Sequence, residues 1–97
     1  MLTGKQKRFL RKESHHLKPV FQIGKQGVHE TFINEISDVL ESRELIKISV
    51  LQNSVEDSKS AGAFIAEKVH AEIVQVLGNT ITLYRQSEEN PQLELPR

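Results

Sequence analysis

The chain has no cysteine and no tryptophan, and its 97 residues include one tyrosine, four phenylalanines and three prolines. Without cysteine there is no disulfide framework, no thiolate metal site and no cysteine nucleophile, which suits a reducing compartment. So few aromatic rings leave no evident stacking platform for reading single-stranded nucleic acid. No apolar run approaches the roughly 18 residues of a membrane helix, and no n-region and h-region pair opens the chain. A soluble, unexported, cytoplasmic protein is expected. Net charge is also missing, since 13 Lys and Arg balance 13 Asp and Glu.

That balance is uneven along the chain. Residues 1–28 carry Lys5, Lys7, Arg8, Arg11, Lys12, Lys18 and Lys25 against Glu13 alone, a net +6, and the remainder carries −6. A neutral protein with one basic quarter points to an oriented interaction with an anion. At this length one domain is expected, able to bury roughly two-thirds of its unfolded surface.

Periodicity orders the elements. Thr3 and Gln6 form a capping-box pair for a first helix that runs to about Ser14 or His16. Val20–Ile23 reads as a short strand opened by Pro19. Val28, Phe32, Ile36, Val39 and Leu40 recur at helical spacing over roughly Val28–Ser42. Leu45–Leu51 alternates, with Ile46, Ile48 and Val50 on one face. Asn53 or Ser54 is expected to cap a third helix that buries Ala61, Phe64, Ile65 and Val69, with Gly62, Ala63 and Ala66 keeping it slim. Ile73–Leu77 and Thr80–Tyr84 flank a two-residue Gly78-Asn79 turn. The order α-β-α-β-α-β-β predicts an α/β (α+β) fold with a four-stranded mixed sheet, parallel across each βαβ unit and antiparallel at the last hairpin. From Gln86 onward the chain is acidic, holds Pro91 and Pro96, and is expected to be a flexible tail. One domain over 1–85 and a tail over 86–97 follow.

Two features carry chemistry. At 100° per residue Lys5, Lys7, Arg8, Arg11 and Lys12 fill an arc of about 160°, and Leu2, Phe9, Leu10 and Leu17 lie opposite. Such a stripe suits several phosphates at once, and its apolar face is too small for a membrane surface. The second feature is Gly24-Lys25-Gln26-Gly27 at a strand-to-helix junction. Two glycines beside a Lys-Gln tip allow close approach of backbone to a phosphate, with a helix N-terminus just behind.

Other side chains leave two readings open. Phe32 and Phe64 are expected in the core, and Phe21 either packs there or stacks on a base. His29 caps or flanks the second helix, or touches RNA. Lys47 and Arg85 are lone cations that would extend a basic surface, and Asn53 is a cap or a contact. Glu30, Glu35, Asp38 and Glu41 form a solvated face or a protein-binding one. His15-His16 cannot both reach one metal from a helix. No Ser/His/Asp set, phosphate-transfer motif or paired carboxylates appear, so no enzyme, cofactor or metal is expected.

A KH domain also clamps nucleic acid with a GXXG loop, but there the loop joins two helices. The chain instead resembles the CRM domain, the chloroplast RNA splicing and ribosome maturation module, in its free-standing bacterial YhbY-like form. The matching segments are Leu2 to Arg8, Leu17-Lys18-Pro19-Val20, Ile23 to Val28, Glu44 to Lys47, Val74 to Asn79 and Leu83-Tyr84-Arg85. The resemblance implies a fold similar to the C-terminal domain of translation initiation factor three and association with precursors of the large ribosomal subunit. It places RNA contact on Gly24, Lys25, Gln26 and Gly27, with the basic surface at Lys5, Lys7, Arg8, Arg11, Lys12 and Lys18. The expected partner is structured ribosomal RNA. The alternative is a protein-interaction adaptor of ribosome assembly or translation that works through the acidic face or tail.

Overall fold

Thr3 Oγ1 accepts the Gln6 N–H at 3.1 Å and Gln6 Oε1 accepts the Thr3 N–H at 3.0 Å, the reciprocal capping box expected from the sequence. In the computed structural model, which describes residues 1–97, this box opens α1 (Gly4–Glu13). There follow β1 (Phe21–Ile23), α2 (Glu30–Arg43), β2 (Leu45–Val50), α3 (Ser58–Val69), β3 (Glu72–Leu77) and β4 (Thr80–Tyr84). The four strands form one mixed sheet in the order β1-β2-β4-β3, with β1 parallel to β2 and β4 antiparallel to both its neighbours. The expected order and mixed sheet are therefore present. β4 inserts between β2 and β3, the two strands joined through α3.

Alternation in β2 splits the interior in two. Ile46, Ile48 and Val50 enter the main core with Ile36 and Leu40 of α2 and Ala61, Ile65 and Val69 of α3. Leu45 points the other way, into a second cluster with Leu10 of α1, Val74 and Tyr84. β3 serves both faces because Ile73 pairs with Leu83 but Gln75 pairs with Thr82, a bulge with Val74 as the extra residue. Ile73 and Val76 consequently pack against the main core while Val74 joins the second cluster. The β3–β4 turn has a positive φ of 59° at Gly78 alone, the pattern of a II′ hairpin.

Several expectations need correction. Helix two starts at Glu30 rather than Val28, with His29 as N-cap. Helix three starts at Ser58, capped by Asp57 and not by Asn53 or Ser54, because Asp57 Oδ1 accepts the Ser60 N–H at 2.7 Å. Phe64 is 42% exposed and not core. Its place goes to Gly62, where a Cβ would stand 3.3 Å from Ile81 Cγ2, so α3 lies on the sheet through its backbone.

The tail is the largest departure. Glu44 ends α2 at φ 67° and is buried. Its Oε2 accepts the Ser87 N–H at 2.8 Å, and Oε1 accepts the N–H groups of Gln92 and Leu93 at 2.8 and 2.9 Å. Glu41 takes the Ser87 hydroxyl at 2.6 Å and the Glu88 and Glu89 N–H groups at 3.1 Å each. Two carboxylates thus fold the tail back onto the domain. Leu93 and Leu95 then pack beside Leu2, Phe9 and Leu17 on the second cluster, and Gln6 Nε2 donates to the Pro96 carbonyl at 3.0 Å.

Burial alone would raise the Glu44 pKa, but the N–H groups of Ser87, Leu93 and Gln92 outweigh it and hold the carboxyl below its usual range. Such a group stabilises fully above its unfolded pKa, about 4.3, and that contribution is lost as pH falls through the lower folded value. Urea unfolding between pH 6 and 3 is expected to show a steeper loss of stability for wild type than for Glu44→Gln. At pH 7 the substitution should cost roughly 1–3 kcal/mol through weakened tail N–H bonds. Equal slopes would show that Glu44 does not hold the tail in solution. Gly62→Leu is expected to cost roughly 1–3 kcal/mol by forcing α3 off Ile81, whereas Gly62→Ala should be nearly neutral, its helix propensity offsetting the tight contact.

Candidate nucleic-acid interface

The Gly24–Gly27 segment is a β-turn. The Gly27 N–H donates to the Gly24 carbonyl at 3.0 Å, which puts Lys25 and Gln26 at the two central positions with both side chains exposed. The glycines are not equivalent. Gly27 has φ 71°, a backbone that L side chains rarely adopt, whereas a Cβ on Gly24 would meet Leu51 Cδ1 at 3.6 Å, an ordinary contact. Only Gly27 is required by the fold.

The turn is fixed from both sides. Ile23 is fully buried, and its carbonyl accepts the Leu51 N–H at 2.8 Å. At the other end of β1 the Val20 N–H donates to the Lys47 carbonyl at 2.9 Å. Beside the turn lies a cavity of about 300 Å³ to which Gln22, Lys25, Gln26, His29 and Leu51 contribute. The helix terminus behind it offers less to an anion than expected. His29 Nδ1 takes the Phe32 N–H at 3.4 Å, and Glu30 puts a carboxylate in the first turn.

The cationic stripe is displayed as the helical wheel requires. Leu10 is fully buried, which stabilises the seat of α1 by roughly 1.5–3 kcal/mol. Lys5, Arg8 and Lys12 are exposed, while Lys7 and Arg11 are half-buried along the docked edge. Ser14 closes the helix, its hydroxyl donating to the Arg11 carbonyl at 2.8 Å. Lys18 is exposed at the foot of β1, in a groove with His16, Pro19, Val20 and Arg43.

The stripe and the turn are not brought together. α1 sits on Leu45 and Tyr84 at one end of the paired strands, and the turn follows Ile23, which pairs with Val50 at the other. The length of β2 separates them, about 17 Å at strand rise. Lys18 belongs to the α1 end and Lys25 to the far end.

The open readings close as follows. Phe21 packs edge-on against Phe32, 5.4 Å between centroids at 86°, so it is a packing residue. Arg85 is structural. Its guanidinium donates to Ser37 Oγ at 3.0 Å, the Ser37 carbonyl at 2.7 Å and the Val69 carbonyl at 2.8 Å, joining the end of α3 to α2. Lys47 is half-buried on the sheet face that α1 leaves open, and Asn53 sits by Gly24. Missed by the sequence reading are exposed Leu51 and Val55, which flank the turn, and Phe64 with Lys68 Nζ 5.6 Å from its ring centroid. No three His, Asp or Glu side chains are placed to hold a metal, and no helix is long and apolar enough to cross a membrane.

Known proteins resemble the chain over nearly its whole length. The chain is 54% identical over 96 residues to "Probable RNA-binding protein YqeI" of Bacillus subtilis, covering 99% of this chain and 100% of that one. It is 38% identical to an RNA-binding protein of Haemophilus influenzae, covering 99% and 96%. Among solved structures, the solution structure of SAV1595 from Staphylococcus aureus, described there as a candidate RNA-binding protein, matches with a TM-score of 0.81 at 52% identity. That match covers 99% of this chain and 100% of that one. The profile of the CRS1 / YhbY (CRM) domain matches residues 2–85, from the residue before the α1 capping box to Arg85 after β4. Sequence, fold and relatives converge, and the chain belongs to the CRS1/YhbY family of CRM domains.

Proposed function

We propose that this protein docks on structured ribosomal RNA in the cytoplasm and assists assembly of the large ribosomal subunit without catalysing a reaction. The observation that carries the reading is the Lys25-Gln26 turn, held out from the sheet by the left-handed backbone of Gly27. The α1 stripe is the second point of contact. Two cationic grips on a body of 39 × 27 × 23 Å recognise the spacing of phosphates on a folded RNA better than any single base. The names of the relatives support RNA as partner. The ribosomal part rests on the YhbY-like character of the chain.

The adaptor reading loses ground on one observation. Glu41, the last acid of the face, is committed to Ser87, Glu88 and Glu89 of the chain's own tail.

Affinity for large-subunit ribosomal RNA fragments across a salt series tests the proposal. Wild type is expected to give a slope of log K against log salt of roughly −4 to −6, and a Lys5/Arg8/Lys12→Gln variant should flatten it by about 2 to 3. A shallow slope that this variant leaves unmoved would sink electrostatic docking through α1. At the turn, Lys25→Ala should reduce the slope by about 1. Gly24→Ala separates ligand approach from folding, because the fold has room for its methyl. Weaker RNA binding at unchanged stability is expected, and unchanged affinity would remove Gly24 from the contact. Gly27→Glu mixes the two effects, since its φ penalises any side chain.

A further inference from the structure

We propose that the groove between the start of α2 and α3 is a nucleobase subsite, in which one unpaired base of the bound RNA stacks on Phe64. This rests on the RNA-docking reading above and adds to it a contact that is neither phosphate nor shape.

Phe64 leaves 42% of its surface in water, on a helix whose apolar face is otherwise buried. Burying such a ring is favourable, and the fold leaves part of that gain unused. Around it is a cavity of about 290 Å³ lined by Val28, His29, Glu30, Ile33, Phe64 and Lys68. That volume is at the lower end of ligand pockets, enough for one planar ring system and too small for a docked helix.

The lining chemistry selects a base. Val28, Ile33 and Phe64 give apolar walls for a ring face, and Lys68 Nζ lies over the Phe64 ring, 5.6 Å from its centroid, a cation that a stacking base displaces from the ring face toward its own flanking phosphate. Glu30 disfavours a phosphate inside the groove and accepts from an exocyclic amine, as carboxylates do with the amino group of cytosine. An amine-bearing base is therefore preferred over uracil.

His29 makes the groove continuous with the turn, because it lines this cavity and the one beside Lys25 and Gln26. Its Nδ1 accepts the Phe32 N–H, which leaves the proton of a neutral imidazole on Nε2 as a donor at the junction. A strand held at Lys25 thus meets a donor next and an aromatic ring after it.

The test uses the full chain and two RNA probes with the same stem, one a hairpin with a single unpaired 2-aminopurine in its loop, the other a fully paired duplex. Wild type is expected to quench the 2-aminopurine on binding. Phe64→Ala should abolish the quench and weaken hairpin binding roughly tenfold to a hundredfold, with duplex affinity and salt slope unchanged. Phe64→Tyr should behave as wild type. Exchanging the unpaired base for uridine should weaken wild-type binding several-fold, and Glu30→Ala should narrow that preference. Salt-dependent RNA binding with equal quench and affinity in Phe64→Ala overturns the subsite and leaves the docking reading intact. If wild type binds neither RNA at any salt, both fall. If Phe64→Ala does not fold, the uridine exchange and Glu30→Ala decide alone, and indifference to both overturns the subsite.

Discussion

One buried carboxylate holds the second half of this architecture together. Glu44 ends α2, turns the chain directly into β2 through a left-handed φ, and accepts three N–H groups from a segment more than 40 residues further on. Removing that charge from water is costly, and three backbone donors offset the cost. Burial, together with the same charge, pushes up the pKa of the Tyr84 phenol. Once Ser87–Leu93 is fixed, Leu93 and Leu95 reach the second cluster and Pro96 reaches Gln6 of the α1 capping box. The seat of the cationic helix is therefore finished by the acidic end of the chain.

This explains how a neutral protein keeps a strongly basic face. The main core covers one side of the sheet with two helices, whereas the other side has only α1, whose sole fully buried residue is Leu10. A short amphipathic helix with five cations on its outer arc is a poor independent folding unit, since like charges at i and i+4 repel. Hydrophobic contacts from the tail, Leu93 and Leu95 on the same cluster as Leu10, supply what the helix lacks. Opposite charges are thereby segregated rather than paired, and the resulting field orients the molecule toward a polyanion.

Much of this was legible in the sequence because it depends on short-range periodicity. The capping box, the wheel of α1, the alternation of β2 and the Gly78 hairpin each need only neighbours within about one turn or one strand. What was not legible depends on distant partners. Leu93 and Leu95 sit among prolines and acids and read as part of a flexible tail, because the carboxylate that anchors them lies near the middle of the chain. Phe64 read as core from its spacing to Ala61. The buried arc of α3 in fact runs about 140° from Ala61 through Ile65, Val69 and Gly62 to Ala66, and Phe64 falls outside it. Recognising Gly62 as the point of closest approach would have located that arc. The two glycines of the turn looked alike because spacing does not report backbone angles, and only the structure shows the positive φ at Gly27.

In the proposed docking, the turn contributes through stiffness more than through charge. A lysine at a flexible tip loses rotamer and backbone entropy together when it meets a phosphate, which cancels most of a single exposed contact. Here the backbone share is already spent. β1 is only three residues long, yet it is tied to β2 on both sides, through the Val20 N–H to Lys47 and the Leu51 N–H to Ile23, with Ile23 fully buried between. The Gly27 N–H, donating to the Gly24 carbonyl, then closes the turn itself. In the docking proposed above, binding has only the Lys25 and Gln26 side chains left to order, which lowers the entropic cost of that grip. A rigid body with separated weak grips gains affinity only where an RNA presents phosphates at the matching span, and in that way geometry supplies the discrimination that individual ion pairs lack.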